Sequence, residues 1–247
     1  MLIDQQAVPG ATLDDLDLDM FRDEYLPAAV APDVLDANNR SLMQQLASLR
    51  FLTKTGIPNH AAILVLGHDS LQWLPGAYVQ FVRFDGTELT DPIRRQAQLS
   101  GPLSQIITQL DDLLTANISL AIDITAAALQ VQHPDYPIVA LQQLTRNALM
   151  HRTYEGTNAP VRVYWFSDRI EIQNPGGPYG HVNASNFGQP GVTDYRNPTL
   201  AEAMKALGYV QRFGIGIPTA QRQAANNGNP PVEFRVEPTS VLAILKR

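Results

Sequence analysis

The 247-residue sequence contains no cysteine, which excludes several kinds of chemistry. Disulfide frameworks, thiolate nucleophiles, iron–sulfur clusters and Cys-ligated zinc all need that residue. The sequence also lacks a run of about 18 apolar residues, the length that crosses a membrane. The first twenty residues carry five aspartates and no lysine or arginine, the opposite of a secretory signal. We therefore expect a cytoplasmic protein without a membrane partner.

Positive charge is scarce as well, and the formal net charge is −6. An acidic chain as a whole is not attracted to phosphate backbones, so a nucleic-acid role would need a local basic patch. Arg94 with Arg95, and Arg212 with Arg222, are the basic features that suggest one. Scattered surface ion pairs explain these arginines better.

Several catalytic motifs are absent. No Gly-x-x-x-x-Gly-Lys-Ser/Thr sequence occurs, and the nearest piece, Lys54-Thr55-Gly56, lacks the preceding glycines whose amides would surround a phosphate. Gly-x-Ser-x-Gly and His-Glu-x-x-His are missing, and the five histidines have no metal-ligand spacing. We interpret His68-Asp69 as part of a tight connection and not as a metal dyad. P-loop motors, triad hydrolases and zinc proteases are excluded.

The first 130 residues predict a mixed α/β region. Apolar residues at helical intervals, interrupted by prolines, indicate short helices over residues 4–50. The apolar run 61–66 and the aromatic and β-branched run 78–84 both predict strands. An apolar stripe with a period near 3.6 predicts a helix over 102–117.

Residues 130–137 have two prolines in four positions and no periodicity, so we place the boundary between a region 1–130 and a domain 131–247 there. The domain's pattern predicts a helix, two strands, a long Gly/Pro/Asn-rich loop, two helices and two closing strands. The expected ranges are 138–152, 161–166, 169–173, 174–198, 199–207, 214–226, 232–236 and 241–245.

One helix of this domain carries stacked polar residues. Gln143, Asn147 and His151 recur at i, i+4 and i+8, so their side chains share one helix face. Spacing alone favours a solvated face over a binding face. The two glycine-containing turns that follow the helix make a binding face the better interpretation.

Two glycine-containing turns follow this helix. A strand runs into Asn174, Gly176 and Gly177, where missing side chains would let a flat base or a ribose approach the backbone. Gly214 and Gly216 then open a helix whose backbone amides and dipole could face an anion. Each turn taken alone also fits an ordinary strand end or helix packing.

In this order the three elements resemble the nucleotide-binding fold of the GHKL superfamily, which includes the gyrase B, Hsp90, histidine kinase and MutL ATPases. They resemble more closely a divergent branch at the C-terminus of bacterial proteins described as transcriptional regulators or RecG-related ATP-dependent DNA helicases. The closer match covers residues 130–247 and rests on Leu144–Tyr154, Arg169–Gly177, Arg196-Asn197-Pro198 and Gly214–Ile217. Three earlier pieces resemble the segment that precedes this domain in the same proteins: Leu74–Ala77, Val82–Phe84 and Gly101–Leu103.

The resemblance implies an α+β fold, in which a mixed α/β N-terminal region precedes a GHKL-like α/β sandwich with helices on one face of a mostly antiparallel sheet. It also implies a site for ATP or a related nucleotide with Mg²⁺. Asn147 takes the position of the metal ligand, and Asn174 stands where an aspartate normally accepts from the adenine amino group. The other nucleotide-binding positions carried over are His151, Gly176, Gly177, Arg196, Gly214 and Gly216. Residues 178–194 correspond to a flexible lid.

One position departs from the superfamily pattern. The general base, a glutamate four residues before the metal-binding asparagine, corresponds to Gln143. An amide cannot take a proton from an attacking water near neutral pH, and general-base help is worth about 10²–10⁴-fold in rate. No catalytic residue is therefore assigned, and we expect at most a weak ATPase.

Three functions stay open at this point. The first is a nucleotide-binding pseudo-ATPase module of a transcriptional regulator, in which the ligand orders the lid. The second is an active ATPase in which another carboxylate, such as Glu155 or Glu171, replaces the base. The third is an interaction or dimerisation scaffold with a degenerate pocket.

Proteins of the branch usually begin with an AlbA-like (Schlafen-type) domain linked to nucleic-acid binding, and we find none before residue 4. We therefore expect a fragment of a longer protein or a shortened relative. The partners to consider are a nucleotide, DNA through a region missing from this chain, and a second copy of the chain. Nothing in the sequence supplies the strand-separating motor that the helicase description suggests.

Overall fold

The computed structural model describes residues 2–37, 39–123, 131–211 and 214–247. The chain starts with short helices, which confirms the helical character predicted for residues 4–50. They are two 3₁₀ turns (Ile3–Gln5 and Leu13–Asp15), α1 (Leu18–Met20), a π-helical segment (Phe21–Tyr25), α2 (Leu26–Ala29), α3 (Pro32–Asp36) and α4 (Leu42–Ser48).

The apolar run 61–66 forms a helix, α5 (His60–Leu66), so the strand predicted there is wrong. Asn59 caps this helix, because its Oδ1 accepts a hydrogen bond of 3.0 Å from the amide of Ala62. Every residue of the run is buried. A helix buried on all sides has no amphipathic period, and a short apolar run then looks the same as a buried strand.

A short helix, α6 (Ser70–Trp73), follows α5. The carboxylate of Asp69 caps α6 by accepting from the amides of Leu71 and Gln72. This contact agrees with the interpretation of His68-Asp69 as a connection.

The remaining elements follow in chain order. They are β1 (Val79–Phe84), β2 (Ile93–Leu99), α7 (Leu103–Asn117), β3 (Leu120–Asp123), β4 (Val131–Pro134), α8 (Ile138–His151), β5 (Val161–Trp165), β6 (Arg169–Pro175), α9 (Pro198–Ala206), α10 (Gly216–Asn226), β7 (Glu233–Glu237) and β8 (Ser240–Lys246). The helices and strands predicted beyond residue 137 are confirmed, with ends within two residues of the expected ones. Strands β2, β3 and β4 were not predicted.

One six-stranded sheet joins the two predicted regions. Its strand order is β2-β1-β5-β6-β8-β7, and every pair is antiparallel except β1 with β5, which is parallel. Val79 pairs with Val161 and Phe81 with Val163, so the sheet continues across the proposed boundary. Part of the stretch 130–137 lies outside the described residues, and the boundary stays a prediction. Strands β3 and β4 form a separate antiparallel pair.

Helices cover one face of the large sheet, as the predicted α+β sandwich requires. Inward-facing strand residues such as Phe81, Val163 and Ile172 are buried in one hydrophobic cluster with residues of α5, α7 and α8. Among the described residues, the other face carries a small apolar cluster around Phe84 and Phe166, with polar side chains along β6 and β7. An antiparallel sheet commonly has one packed and one solvated face.

Within the described ranges, no helix combines the length and the apolar character that crossing a bilayer requires.

Candidate functional site

The polar face of α8 borders a cavity. Gln143, Asn147 and His151 all line it, and each is partly exposed. The apolar stripe of the same helix, which includes Leu144 and Ala148, is buried in the core. The split between the two faces fixes the rotation of α8 and directs the three polar side chains into the cavity.

The opposite wall is formed by the end of β6 and the start of α10. Asn174, only 5% exposed, lies at the end of β6 together with Gly176 and Gly177. Gly214 and Gly216 contribute the second glycine turn. A Cβ added to Gly216 would lie 3.4 Å from Oε1 of Gln143, so the turn directly faces α8. Among the predicted site positions, the cavity therefore brings together Gln143, Asn147, His151, Asn174, Gly176, Gly177, Gly214 and Gly216.

The loop 178–194 folds over this cavity and supplies much of its lining. The ring of Phe187 packs against Phe234 of β7, with 5.3 Å between the ring centroids. At the other end of the loop, Oδ2 of Asp194 lies 3.2 Å from Nδ1 of His181. We call this loop the lid. The Phe187–Phe234 contact holds it against β7, and the Asp194–His181 contact joins two residues of the lid itself.

The cavity beneath the lid is small, with a free volume of about 90 Å³. Sites for small molecules and cofactors usually have about 300–1,000 Å³. A nucleotide therefore enters only if the lid moves outwards.

The glycines at the end of β6 are required by the protein's own packing. Gly176 has φ of +96°, and a Cβ there would lie 2.8 Å from the amide nitrogen of Thr153. A Cβ on Gly177 would lie 2.3 Å from the carbonyl oxygen of Glu237. These close approaches explain both glycines whether or not a base lies beside them.

The amide group of Asn174 is oriented by its neighbours. Its Nδ2 donates weakly to the carbonyl oxygens of Gly176 (3.4 Å) and Pro175 (3.5 Å). With the donor turned towards the backbone, Oδ1 is the atom available to accept a hydrogen bond.

The His151 ring stacks on Tyr195, with 5.5 Å between the ring centroids. Burial, with a smaller contribution from the Arg196 guanidinium, lowers the pKa of His151 to about 4 although the Asp194 carboxylate acts in the opposite direction. The ring is therefore neutral at pH 7. No spacing pattern in the sequence points to Tyr195, although it directly precedes the Arg196-Asn197-Pro198 piece.

Arg196 does not line this cavity but a neighbouring cleft. The next residue, Asn197, is buried and donates from Nδ2 to the carbonyl oxygens of Met150 (2.9 Å) and Arg152 (2.8 Å). These bonds fix the segment at the end of α8. The Arg196 guanidinium donates to the carbonyl oxygen of Gly177 (3.0 Å) and lies over the Tyr179 ring.

The two glutamates considered as replacement bases also lie elsewhere. Glu155 lines the neighbouring cleft. Glu171 forms an ion pair of 2.6 Å with Arg169, and its side chain lies on the face of β6 opposite to the core-facing Ile170 and Ile172. Among the described residues, Asp194 is the one carboxylate that lines the cavity. It accepts from the Tyr195 amide and contacts His181.

Arg212 and Phe213, which precede the second glycine turn, lie outside the described residues, so the basic pair Arg212 and Arg222 is not placed. Arg94 of the other basic pair lies 3.8 Å from Asp85, an exposed ion pair of the ordinary surface kind.

Comparison with known proteins points to the same half of the chain. The family model described as "Putative ATP-dependent DNA helicase recG C-terminal" matches residues 158–245. The matched segment runs from β5 to β8 and contains both glycine turns, but it does not include α8. This segment is thus similar to a RecG-related, ATPase-like domain, a family that indicates nucleotide binding.

The crystal structure of the DIP2311 protein from Corynebacterium diphtheriae is similar to this chain, with a TM-score of 0.73 and 18% sequence identity. The similarity covers 100% of this chain and 48% of that one. The chain therefore spans about half the length of that protein, and the likeness shows a shared fold. No curated protein matches the sequence.

Proposed function

We propose that the cavity between α8, the end of β6 and α10 binds an adenine nucleotide with Mg²⁺ and hydrolyses it very slowly or not at all. The observation that carries this proposal is the single cavity shared by Asn147, Asn174 and the turn at Gly214–Gly216. The family match over residues 158–245 supports the nucleotide as ligand class.

The end of the cavity near β6 suits the base. Oδ1 of Asn174 is free to accept from the adenine amino group, because Nδ2 is turned to the backbone. The stacked rings of His151 and Tyr195 line the same cavity and offer a flat surface for a base. Since His151 is neutral at pH 7, this end of the cavity adds no positive charge.

The end near α10 suits the phosphates. The Asn147 amide oxygen is a hard ligand of the kind that Mg²⁺ accepts, and the start of α10, a helix N-terminus of the kind that favours anions, lines the same cavity. No lysine or arginine lines the cavity in the part of the chain that the structure describes. These residues fit a Mg²⁺ ion that is held by one protein side chain and otherwise by phosphate oxygens and water. The bound ion would supply neutralisation of phosphate charge.

The same geometry argues against efficient hydrolysis. Gln143 occupies the wall position next to Gly216, and its amide cannot accept a proton from water. Glu155 and Glu171 do not line the cavity, and Asp194 is engaged by His181 and Tyr195. We infer a binding switch in which the nucleotide holds the lid in a second position. In a transcriptional regulator such a switch would act on DNA through regions outside this chain.

Isothermal titration calorimetry with a non-hydrolysable ATP analogue tests the binding, once with Mg²⁺ and once with EDTA. We expect Mg²⁺-dependent binding that Asn147→Ala weakens at least tenfold. Asn226→Ala is the matched control, because Asn226 is an exposed helical asparagine that does not line the cavity. Absence of binding to the unmodified chain, or equal binding by both variants, would favour the scaffold function.

Phosphate release separates the silent module from an active ATPase. We expect turnover far below the roughly 1–10³ s⁻¹ that is typical of enzymes, and an increase of at least tenfold in Gln143→Glu. Gln72→Glu, at an exposed position of α6, serves as the control for added negative charge. Full turnover in the unmodified chain would contradict the assignment of Gln143.

A further inference from the structure

A second cleft shares the Gly176–Gly177 wall with the nucleotide cavity. It lies among the loop 153–160, the start of β5, the end of β6 and the turn 238–240 between β7 and β8. Its free volume is about 550 Å³, within the usual range for small-molecule sites. Unlike the first cavity, it needs no movement of the lid to admit a ligand of that size.

Two arginines give the cleft its charge. Arg162 and Arg196 both line it, and neither forms an ion pair with any carboxylate that the structure describes. Arg162 makes one long contact of 3.5 Å with Oε1 of Gln173, and Arg196 donates to the carbonyl oxygen of Gly177. In the described part of the chain, Glu155 is the one acidic residue that lines the cleft, so its charged side chains leave one net positive charge, in a chain whose net charge is −6.

Neutral polar groups complete the lining. They are the hydroxyls of Thr153, Thr157, Thr239 and Ser240 and the amide of Gln173. Guanidinium groups bind phosphate oxygens in a bidentate manner, and hydroxyls and amides pair with both phosphate and sugar oxygens. The combination therefore fits a phosphate ester better than an apolar ligand.

We propose that this cleft is a second binding site, for a small hydroxylated phosphomonoester whose phosphoryl group lies between Arg162 and Arg196. The sugar-like remainder of the ligand contacts Gln173 and the hydroxyls of the turn 238–240. This site is separate from the nucleotide site, because Asn147, Asn174 and α10 do not line it.

Arg196 also connects the two sites. Its guanidinium lies 4.8 Å from the centre of the Tyr179 ring, and Tyr179 belongs to the lid and lines the nucleotide cavity. A phosphoryl group that draws Arg196 towards Arg162 changes this contact, so the bound phosphomonoester acts on the lid. This regulatory consequence rests on the proposed nucleotide function, whereas binding in the cleft does not.

Two-dimensional ¹H–¹⁵N NMR titration with glycerol 3-phosphate tests the site, with ionic strength held constant and glycerol as the neutral probe. We expect saturable shifts at the amides of Gly177, Thr239 and Ser240 with glycerol 3-phosphate and none with glycerol. Arg162→Gln and Arg196→Gln should each raise the Kd at least tenfold. Arg235→Gln should not, since Arg235 is an exposed arginine of β7 outside the cleft.

The proposal is overturned if no shift saturates, if glycerol produces the same shifts, or if Arg162→Gln binds as the unmodified chain does. Arg162→Gln decides the matter even if Arg196→Gln disturbs the fold, because Arg162 holds no short hydrogen bond that is lost. Asn147→Ala should bind glycerol 3-phosphate normally. A failure of the nucleotide site is thus distinguishable from a failure of the cleft.

Discussion

The carboxylate of Asp4 caps the first turn of α9, where its Oδ2 accepts a hydrogen bond of 2.6 Å from the amide of Thr199, 195 residues later in the chain. The amide of Leu200 donates to the same oxygen at 3.2 Å. Asp4 is fully buried. The first turn of the chain thereby fixes the start of α9, close in sequence to Tyr195, which lines the nucleotide cavity, and to Arg196, which lines the second cleft.

Removal of this cap should destabilise the fold. Asp4→Ala leaves two buried amides without an acceptor, and we expect the free energy of unfolding to fall by about 2 kcal/mol. Asp4→Asn should cost less, since its amide oxygen still accepts. Urea denaturation measures both, with Asp14→Ala in an exposed 3₁₀ turn as the control. Equal stability of Asp4→Ala and Asp14→Ala would contradict the cap.

The pH dependence of this cap has a definite sign. Burial raises the pKa of Asp4, and its hydrogen bonds from the Leu200 and Thr199 amides only partly oppose that rise. Between the ordinary aspartate pKa and the raised pKa of Asp4, the folded state holds more protons than the unfolded state. The free energy of unfolding therefore falls as pH rises through this range. Relative to Asp4→Asn, the unmodified chain should lose stability from about pH 4 upwards. Thermal unfolding of both proteins at several pH values gives this difference directly, and a slope of the opposite sign would be inconsistent with it.

What the sequence predicted well follows from local periodicity. The polar face of α8 could be predicted because Gln143, Asn147 and His151 repeat along a helix whose other side is apolar. Local pattern failed for α5, where burial on all sides removes the period. It also missed β2, whose residues Ile93 to Gln98 are mostly exposed at the edge of the sheet and lack alternation.

Long-range relations were not accessible from local pattern. The parallel pairing of β1 with β5 and the contact of Asp4 with α9 join residues 82 and 195 positions apart. Neither leaves a signature in neighbouring residues. The position of Arg196 next to Gly177 also depends on a long-range relation, because the hydrogen bonds of Asn197 to the end of α8 hold this segment in place.

Arg152 joins the two sequence regions through its side chain. It is 1% exposed, and its guanidinium donates to the carbonyl oxygens of Gly76, Ala159 and Thr153. Arg152→Met leaves three carbonyls without this donor, and we expect a loss of about 3–5 kcal/mol in the free energy of unfolding. Arg152→Lys should retain only part of this stability, since an ammonium group cannot reach three acceptors as the planar guanidinium does. Arg222→Met, at an exposed position of α10, should be neutral in the same denaturation experiment.

His151 should titrate far below an ordinary histidine. Its pKa of about 4 implies that the unfolded chain binds more protons between about pH 4 and 6.5. The stability that the neutral ring contributes is therefore complete above pH 6.5 and is lost as pH falls towards 4. NMR titration of the ring gives the pKa, and Arg196→Gln should raise it by removing a nearby positive charge. A ring that titrates near 6.5 would show that His151 is not buried against Tyr195.

The Phe187–Phe234 contact should control access to the nucleotide cavity. An aromatic pair contributes about 0.5–1.5 kcal/mol, which corresponds to roughly a 2–10-fold change in the fraction of open lid. Because 90 Å³ cannot hold a nucleotide, opening must precede binding. Phe187→Ala should therefore speed proteolytic cleavage within 178–194 and raise the association rate of an ATP analogue by a similar factor. Leu89→Ala, which removes an exposed side chain outside the cavity lining, controls for general loosening. An unchanged association rate together with faster cleavage would show that the lid opens at a point other than this aromatic contact.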